Sequence, residues 1–312
     1  MRSWIAVAAA CALLAGCAAD PPSRAAAPSV TAEPTSESPS PDVTTAPPPA
    51  TRPPTSPPPA TRPPSPRPTA TRTAAPPPVR TNRACETPPA GSPAGWPRTP
   101  TAAAPLDLLI TGDSLQESMG PRLAGYANAK RHVVAACTVP KYSTGLVRDD
   151  FFDWPAYAKQ LSAQRDPEAV SFMIGGNDAQ NMSVGGRILE AGSPEWAAEY
   201  ERRAATVMRA FAAADRKVYW IGMPIARSAR HTKVFQVSNA AVQRAARSVP
   251  GVEYVDIWAM FAPHGVYEDS FANEYGQVER MRSSDGIHLS TAGAAYLARR
   301  MLTVLDADWH LA

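Results

Sequence analysis

From Leu106 onward the sequence predicts an α/β fold built on a five-stranded parallel sheet. Three observations predict it. Short apolar runs recur along the chain, and stretches with apolar residues at helical spacing separate them. Several of those stretches also open on a start signal, a proline at the first turn or a serine just ahead of it. Strands that alternate with helices form a parallel sheet covered on both faces. Ligands in such sheets bind beyond the carboxyl ends of the strands.

Each element follows in order. Leu106–Ile110 reads as the first buried strand, and a helix is expected from about Leu115 to Ala129. His132–Ala136 reads as the second strand, and Pro155–Gln164 as a short helix with proline in its first turn. Ala169–Ile174 is the third strand. Ser193-Pro194 then opens a long helix on which Trp196, Tyr200, Val207, Met208 and Phe211 recur at helical spacing. Val218–Ile221 is the fourth strand, a helix covers roughly Val234–Arg247, and Val252–Ile257 is the fifth strand. Ser290-Thr291 starts a last helix with Leu297, Met301, Leu302 and Leu305.

Upstream of this region the composition changes. Ala18 to Arg83 holds 21 prolines and seven arginines against four acidic residues, Asp20, Glu33, Glu37 and Asp42. A segment so poor in large apolar groups cannot offset its ordering entropy by burial, and disorder is expected. The run Pro-Pro-Pro-Ala-Thr-Arg-Pro-Pro occurs at Pro47–Pro54 and again at Pro57–Pro64, which is low complexity and not a folded repeat. The expected organisation is a signal segment over 1–17, a linker over 18–84 and one globular domain over 85–312. The formal charge of +3 belongs to the leading part of the chain, because from Cys85 on there are 23 Lys and Arg against 24 Asp and Glu. A nucleic-acid partner would want a basic face on the folded part, and none is expected.

The first residues carry an address. Arg2 precedes an apolar run from Trp4 to Leu14, too short for the ~20 residues of a spanning helix but suited to a secretory signal. Leu14-Ala15-Gly16-Cys17 resembles the lipobox of bacterial lipoproteins, which implies lipid on Cys17 and a chain exported and held at the outer face of the membrane. Plain cleavage near the Ala-rich stretch is the alternative. Cys85 and Cys137 then remain, either as one disulfide in an oxidising compartment or as two thiols. No Cys-x-x-Cys or His-Glu-x-x-His occurs, the five histidines are scattered, and no Gly-rich phosphate loop is present. Neither a metal nor a nucleotide cofactor is expected.

Chemistry-bearing residues sit after the strands. Thr111-Gly112-Asp113-Ser114-Leu115 ends the first strand, Ser143-Thr144-Gly145-Leu146 follows the second, and Gly175-Gly176-Asn177-Asp178 follows the third. Asp285-Gly286-Ile287-His288 stands just before the last helix. A serine hydroxyl needs a base within hydrogen-bond reach, a histidine suits that task, and a carboxylate on its other nitrogen fixes the tautomer. Singly, each motif also reads as a turn or a helix cap.

In this order the four motifs resemble the blocks of the SGNH/GDSL hydrolases, over Leu106 to Leu305, although the Asn-x-Gly pattern usual around the second block is absent. The stretches Asn177–Gln180 and Arg282–His288 are similar to a bacterial envelope subgroup of that family. The resemblance implies a flavodoxin-like three-layer sandwich. It also implies Ser114 as nucleophile, His288 as base and Asp285 as its orienting carboxylate. Ser114 N–H, Gly145 N–H and the Asn177 amide are the implied oxyanion donors. The function expected is an exported, lipid-anchored esterase that removes O-acyl groups from an envelope glycan, with small acyl esters as further substrates. An O-acyltransferase working through the same acyl-serine, and a glycan-binding lipoprotein without turnover, are the alternatives. Trp154, Trp220, Trp258 and Tyr275 are candidates to stack on a sugar, with core packing as the plainer role. Arg227 and Arg282 are candidates to hold an acidic group, with surface solvation as the plainer role. Asp178 and Gln180 are candidates to orient Asn177 or to line the pocket, and neither is read as catalytic.

Overall fold

The computed structural model describes residues 96–130 and 133–311. The signal segment, the linker and Cys85 lie outside the described residues, as does His132. Strand β1 (Leu106–Gly112) leads into α1 (Ser114–Asn128), and β2 (Val134–Pro140) leads through a long loop into α2 (Trp154–Arg165). After β3 (Ala169–Met173) come two three-residue strands, β4 (Met182–Val184) and β5 (Arg187–Leu189), and then α3 (Pro194–Ala212). Strand β6 (Lys217–Ile221), α4 (Ala229–Ser248) and β7 (Val252–Val255) follow. A second short pair, β8 (Ser270–Ala272) and β9 (Val278–Arg280), precedes α5 (Thr291–Trp309).

The main sheet is parallel throughout, in the order β2-β1-β3-β6-β7. This is the flavodoxin-like order, and its topological switch point falls between β1 and β3. Every residue of β1, β3 and β6 is buried, as a strand covered on both faces requires. One core layer unites β1 with α1 and α5 through Leu108, Ile110, Met119, Leu297 and Met301. The other packs Trp154, Phe172, Trp196, Phe211 and Trp220 beneath α2, α3 and α4. Helix starts follow the serine and proline signals: Ser193 caps α3, Ser228 caps α4 and Ser290 caps α5 through side-chain oxygens.

The second strand corrects the expected bounds. Its register with β1 runs from Leu106↔Val134 to Gly112↔Pro140, so it continues four residues past Ala136. A terminal proline is tolerated because β2 is an edge strand. Cys137 therefore stands inside β2, opposite Leu109, and not after it. It is fully buried and disulfide-bonded. The fifth strand is shorter than expected and stops at Val255.

Candidate active site

Three strand ends and the turn before α5 meet at one edge of the sheet. Asp113 caps α1 by accepting from Leu115 N–H at 2.9 Å, which fixes Ser114 at the first helical position. Its other oxygen accepts from Gly175 N–H at 3.0 Å and Gly176 N–H at 2.9 Å, so one buried carboxylate ties the serine turn to the loop after β3. Burial raises the Asp113 pKa to about 6, although the three N–H groups pull the other way.

Ser114 Oγ lies 2.8 Å from His288 Nε2, and His288 Nδ1 lies 2.6 Å from Asp285 Oδ2. With Nδ1–H donated to Asp285, Nε2 is free to accept the serine proton. The carboxylate is fixed in turn, because its second oxygen accepts from Ile287 N–H at 2.8 Å and His288 N–H at 2.9 Å. Burial alone would raise the Asp285 pKa. The N–H of Ile287 and the His288 ring outweigh it and hold Asp285 at about 2. The His288 and Asp285 side chains remain 40% and 46% exposed, so the hydroxyl–imidazole–carboxylate line opens to solvent along its length.

The implied oxyanion donors come from the serine turn and from the loops that follow β2 and β3. Ser114 N–H and Gly145 N–H donate to no other group among the described residues. Asn177 gives one amide hydrogen to Thr144 O at 2.8 Å and keeps the second. Gly145 is pressed against Asp178, and a Cβ there would lie 2.1 Å from Asp178 Oδ1. No residue with a side chain fits that position.

Several roles left open by the sequence become definite. Asp178 is buried and does not touch the Asn177 amide. It accepts from Leu146 N–H and Val147 N–H, both at 3.0 Å, and from the Tyr200 hydroxyl at 2.8 Å. Arg203 grips the same peptides from their carbonyl side, donating to Leu146 O and Val147 O at 2.8 and 3.0 Å. The loop that carries Gly145 is thus clamped on both edges. Gln180 holds the Asn177 backbone, donating to its carbonyl at 2.6 Å.

Arg282 overturns the expectation of a solvated arginine. It is fully buried and donates to the carbonyls of Ile225, Gly286 and Ile287. Burial lowers its pKa to about 10, and its plane lies 5.2 Å from the Tyr267 ring centre. Its task is to hold the Asp285–His288 turn. Arg227 is half-exposed and engaged with Asp269 at 2.7 Å and Ser284 O at 2.6 Å. Of the aromatic candidates, Trp154 and Trp220 are core, Tyr275 is exposed beneath Arg299, and Trp258 is half-buried. The sequence reading missed Asp113 and Arg203. The signal for Asp113 was its place as a helix cap directly ahead of the serine, whereas Arg203 on a helix face carried none.

A family model described as protein of unknown function (DUF459) matches residues 107–304. No curated protein matches. Among solved structures, a catalytic mutant of the acetylxylan esterase Axe2 from Geobacillus stearothermophilus is similar at 17% identity and a TM-score of 0.45, covering 68% of this chain and 95% of that one. A putative acylhydrolase from Bacteroides fragilis is similar at 11% identity and a TM-score of 0.46, covering 75% of this chain and 96% of that one. The crystal structure of TesA is similar at 18% identity and a TM-score of 0.43, covering 64% of this chain and 98% of that one.

Proposed function

The chain belongs to the DUF459 family, and from the site it carries we propose that it is a serine esterase working through an acyl-enzyme. One observation carries the reading: the unbroken line from Ser114 Oγ through His288 to Asp285, at 2.8 and 2.6 Å. Ser114 Oγ attacks the ester carbonyl carbon while its proton passes to His288 Nε2. The oxyanion is met by Ser114 N–H, Gly145 N–H and the second Asn177 amide hydrogen. Collapse of the tetrahedral intermediate breaks the carbonyl–alkoxy bond, and the departing alcohol takes the proton from His288. Water, deprotonated by the same imidazole, then attacks the acyl-serine, releasing the acid and restoring Ser114.

The substrate class we infer is an O-acyl group, such as acetyl, on an envelope carbohydrate. Support comes from the export and lipidation signal ending at Cys17, which would place the domain among envelope polymers. It comes also from the exposure of His288 and Asp285, which leaves room for a bulky alcohol.

The test is intact-mass spectrometry after exposure to a fluorophosphonate probe and to an activated aryl acetate. One adduct on Ser114, absent from Ser114→Ala, is expected, together with accumulating free acetate. A Ser114 that never reacts with either reagent sinks the reading. Acyl-oligosaccharide formed in place of acetate, when sugar is added, would make the chain a transferase.

A further inference from the structure

Beside the carboxyl end of β7 a second cleft of about 260 Å³ opens between that edge strand and α4. Gln236, Asn239, Ala240 and Gln243 form its helical wall. Their spacing of three, four and seven residues puts them on one stripe of α4. This stripe flanks the buried, sheet-facing one of Phe235, Ser238, Val242 and Ala245 and opens to solvent, with Gln236 and Ala240 exposed and Asn239 and Gln243 half-buried. Tyr254, Asp256 and Trp258 form the facing wall.

Asn239 is already committed, exchanging two hydrogen bonds of 2.8 Å with the Met223 backbone. The amides of Gln236 and Gln243, the Tyr254 hydroxyl and the Trp258 indole N–H have no hydrogen-bond partner among the described residues. Burial first, and the Asp256 charge second, push the Tyr254 phenol above its ordinary range, so it stays a donor. The rings of Tyr254 and Trp258 stack on no other ring among the described residues, unlike the edge-to-face packing of Trp154, Phe172 and Trp220 in the core.

Two half-buried aromatic rings, two unengaged amides and one carboxylate select a ligand by chemistry. A phosphate or carboxylate ligand would face Asp256, with no Lys or Arg in the lining to offset it. An acyl chain would bury the amides, the phenol and the indole unpaired, at one to several kcal/mol each. A pyranose ring answers every group, since its C–H face lies on an aromatic ring and its hydroxyls both donate and accept. The cleft opens at the same end of the sheet as Ser114. Three strand spacings separate β1 from β7, roughly 14 Å at ~4.8 Å each. A few linked sugar units span that distance.

We propose that this cleft is a carbohydrate subsite that binds one pyranose ring of a neutral glycan, so that the Ser114 site works on a polymer and not on a short ester. The second clause rests on the esterase reading, and the binding claim does not. The test uses the Ser114→Ala full chain, titrated with xylohexaose and with chitohexaose by calorimetry and tryptophan fluorescence. At least one hexasaccharide should bind. Trp258→Ala should weaken it by about tenfold or more, and so should the double variant Gln236→Ala with Gln243→Ala. Because Trp258 also packs against the core, the glutamine pair on the helix surface is the variant that decides. Failure of both sugars to bind at millimolar concentration, or unchanged affinity in the glutamine pair, overturns the subsite. Fluorophosphonate labelling of Ser114 in the chain with the cleft intact separates the two claims. Binding without labelling keeps the subsite and removes only the esterase.

Discussion

Asp113 binds the serine turn to the loop that presents Asn177, and its buried carboxylate makes that junction sensitive to pH. An acid whose folded pKa of about 6 exceeds its ordinary value of 3.8 holds its proton more tightly in the fold. Its stabilising contribution is therefore complete below about pH 4 and is lost as pH rises through 6, a change of roughly 3 kcal/mol for two units. Denaturation of wild type and Asp113→Asn from pH 4 to 7 should show that slope in the difference between them. A flat difference would refute it. Asp285 behaves in the opposite way. Held at about 2, it stays ionised throughout that range and leaves His288 correctly oriented. Ser114→Ala and His288→Ala should each abolish nearly all aryl acetate turnover with thermal stability close to wild type. Asp285→Asn should cost less, and Asn177→Ala should lower kcat by ~100-fold, the loss of one oxyanion donor. Full turnover in Ser114→Ala would end the assignment. Ser114, Asn177 and His288 were legible because each stands in a motif beside a strand or helix boundary. Arg282 was not, because the sequence does not show that three carbonyls converge on its side chain.

Between elements, the stiffest device is the pair of charges on the Gly145 loop. Asp178 takes the Leu146 and Val147 N–H groups, and Arg203 takes the carbonyls of the same residues. Asp178→Asn keeps the volume but sets an NH₂ against one of those donors. It should lower kcat for aryl acetate by ~10- to 100-fold with little change in KM, because Gly145 N–H loses its aim while substrate contacts survive. An unchanged kcat in a variant that folds normally would show that the clamp serves stability alone. The five long strands and five helices were legible from apolar runs and cap residues, with errors confined to their ends. Both hairpins were missed, since three-residue strands carry no period. One did leave a signal: Gly185-Gly186, with φ of +55° and +80°, is the two-residue turn that joins β4 to β5. The other turns on Asn273, whose side-chain oxygen accepts from Tyr275 N–H and Gln277 N–H.

At the scale of the whole molecule, the sheet order places the ends of β1 and β3 side by side, which is why motifs 62 and 63 residues apart build one site. That convergence follows from alternating strands and helices and was legible in the sequence. Cys137 is disulfide-bonded, and Cys85 is the partner expected from the cysteines left after the signal segment. Non-reducing peptide mapping of exported protein should return a Cys85–Cys137 peptide, and alkylation of Cys85 in unreduced protein counts against it. The remaining expectation concerns reach. If Cys17 carries lipid, the 67 residues from Ala18 to Glu86's second neighbour upstream, Ala84, separate membrane from domain. Any chain of that length, even fully drawn out at ~3.1 Å per residue, spans at most roughly 200 Å. A spacer of that length matters only when the substrate is a fixed polymer at a distance from the membrane; a diffusing ester reaches the site at any tether length. Cys17→Ser should release the protein from membranes and leave aryl acetate turnover unchanged. Shortening 18–84 by two thirds, with Cys17 kept, should likewise spare aryl acetate but reduce acetate release from intact cell envelopes. Equal release from both tether lengths would show that the spacer does not set the substrate's position, and the case for a wall polymer would then rest on the sugar subsite alone.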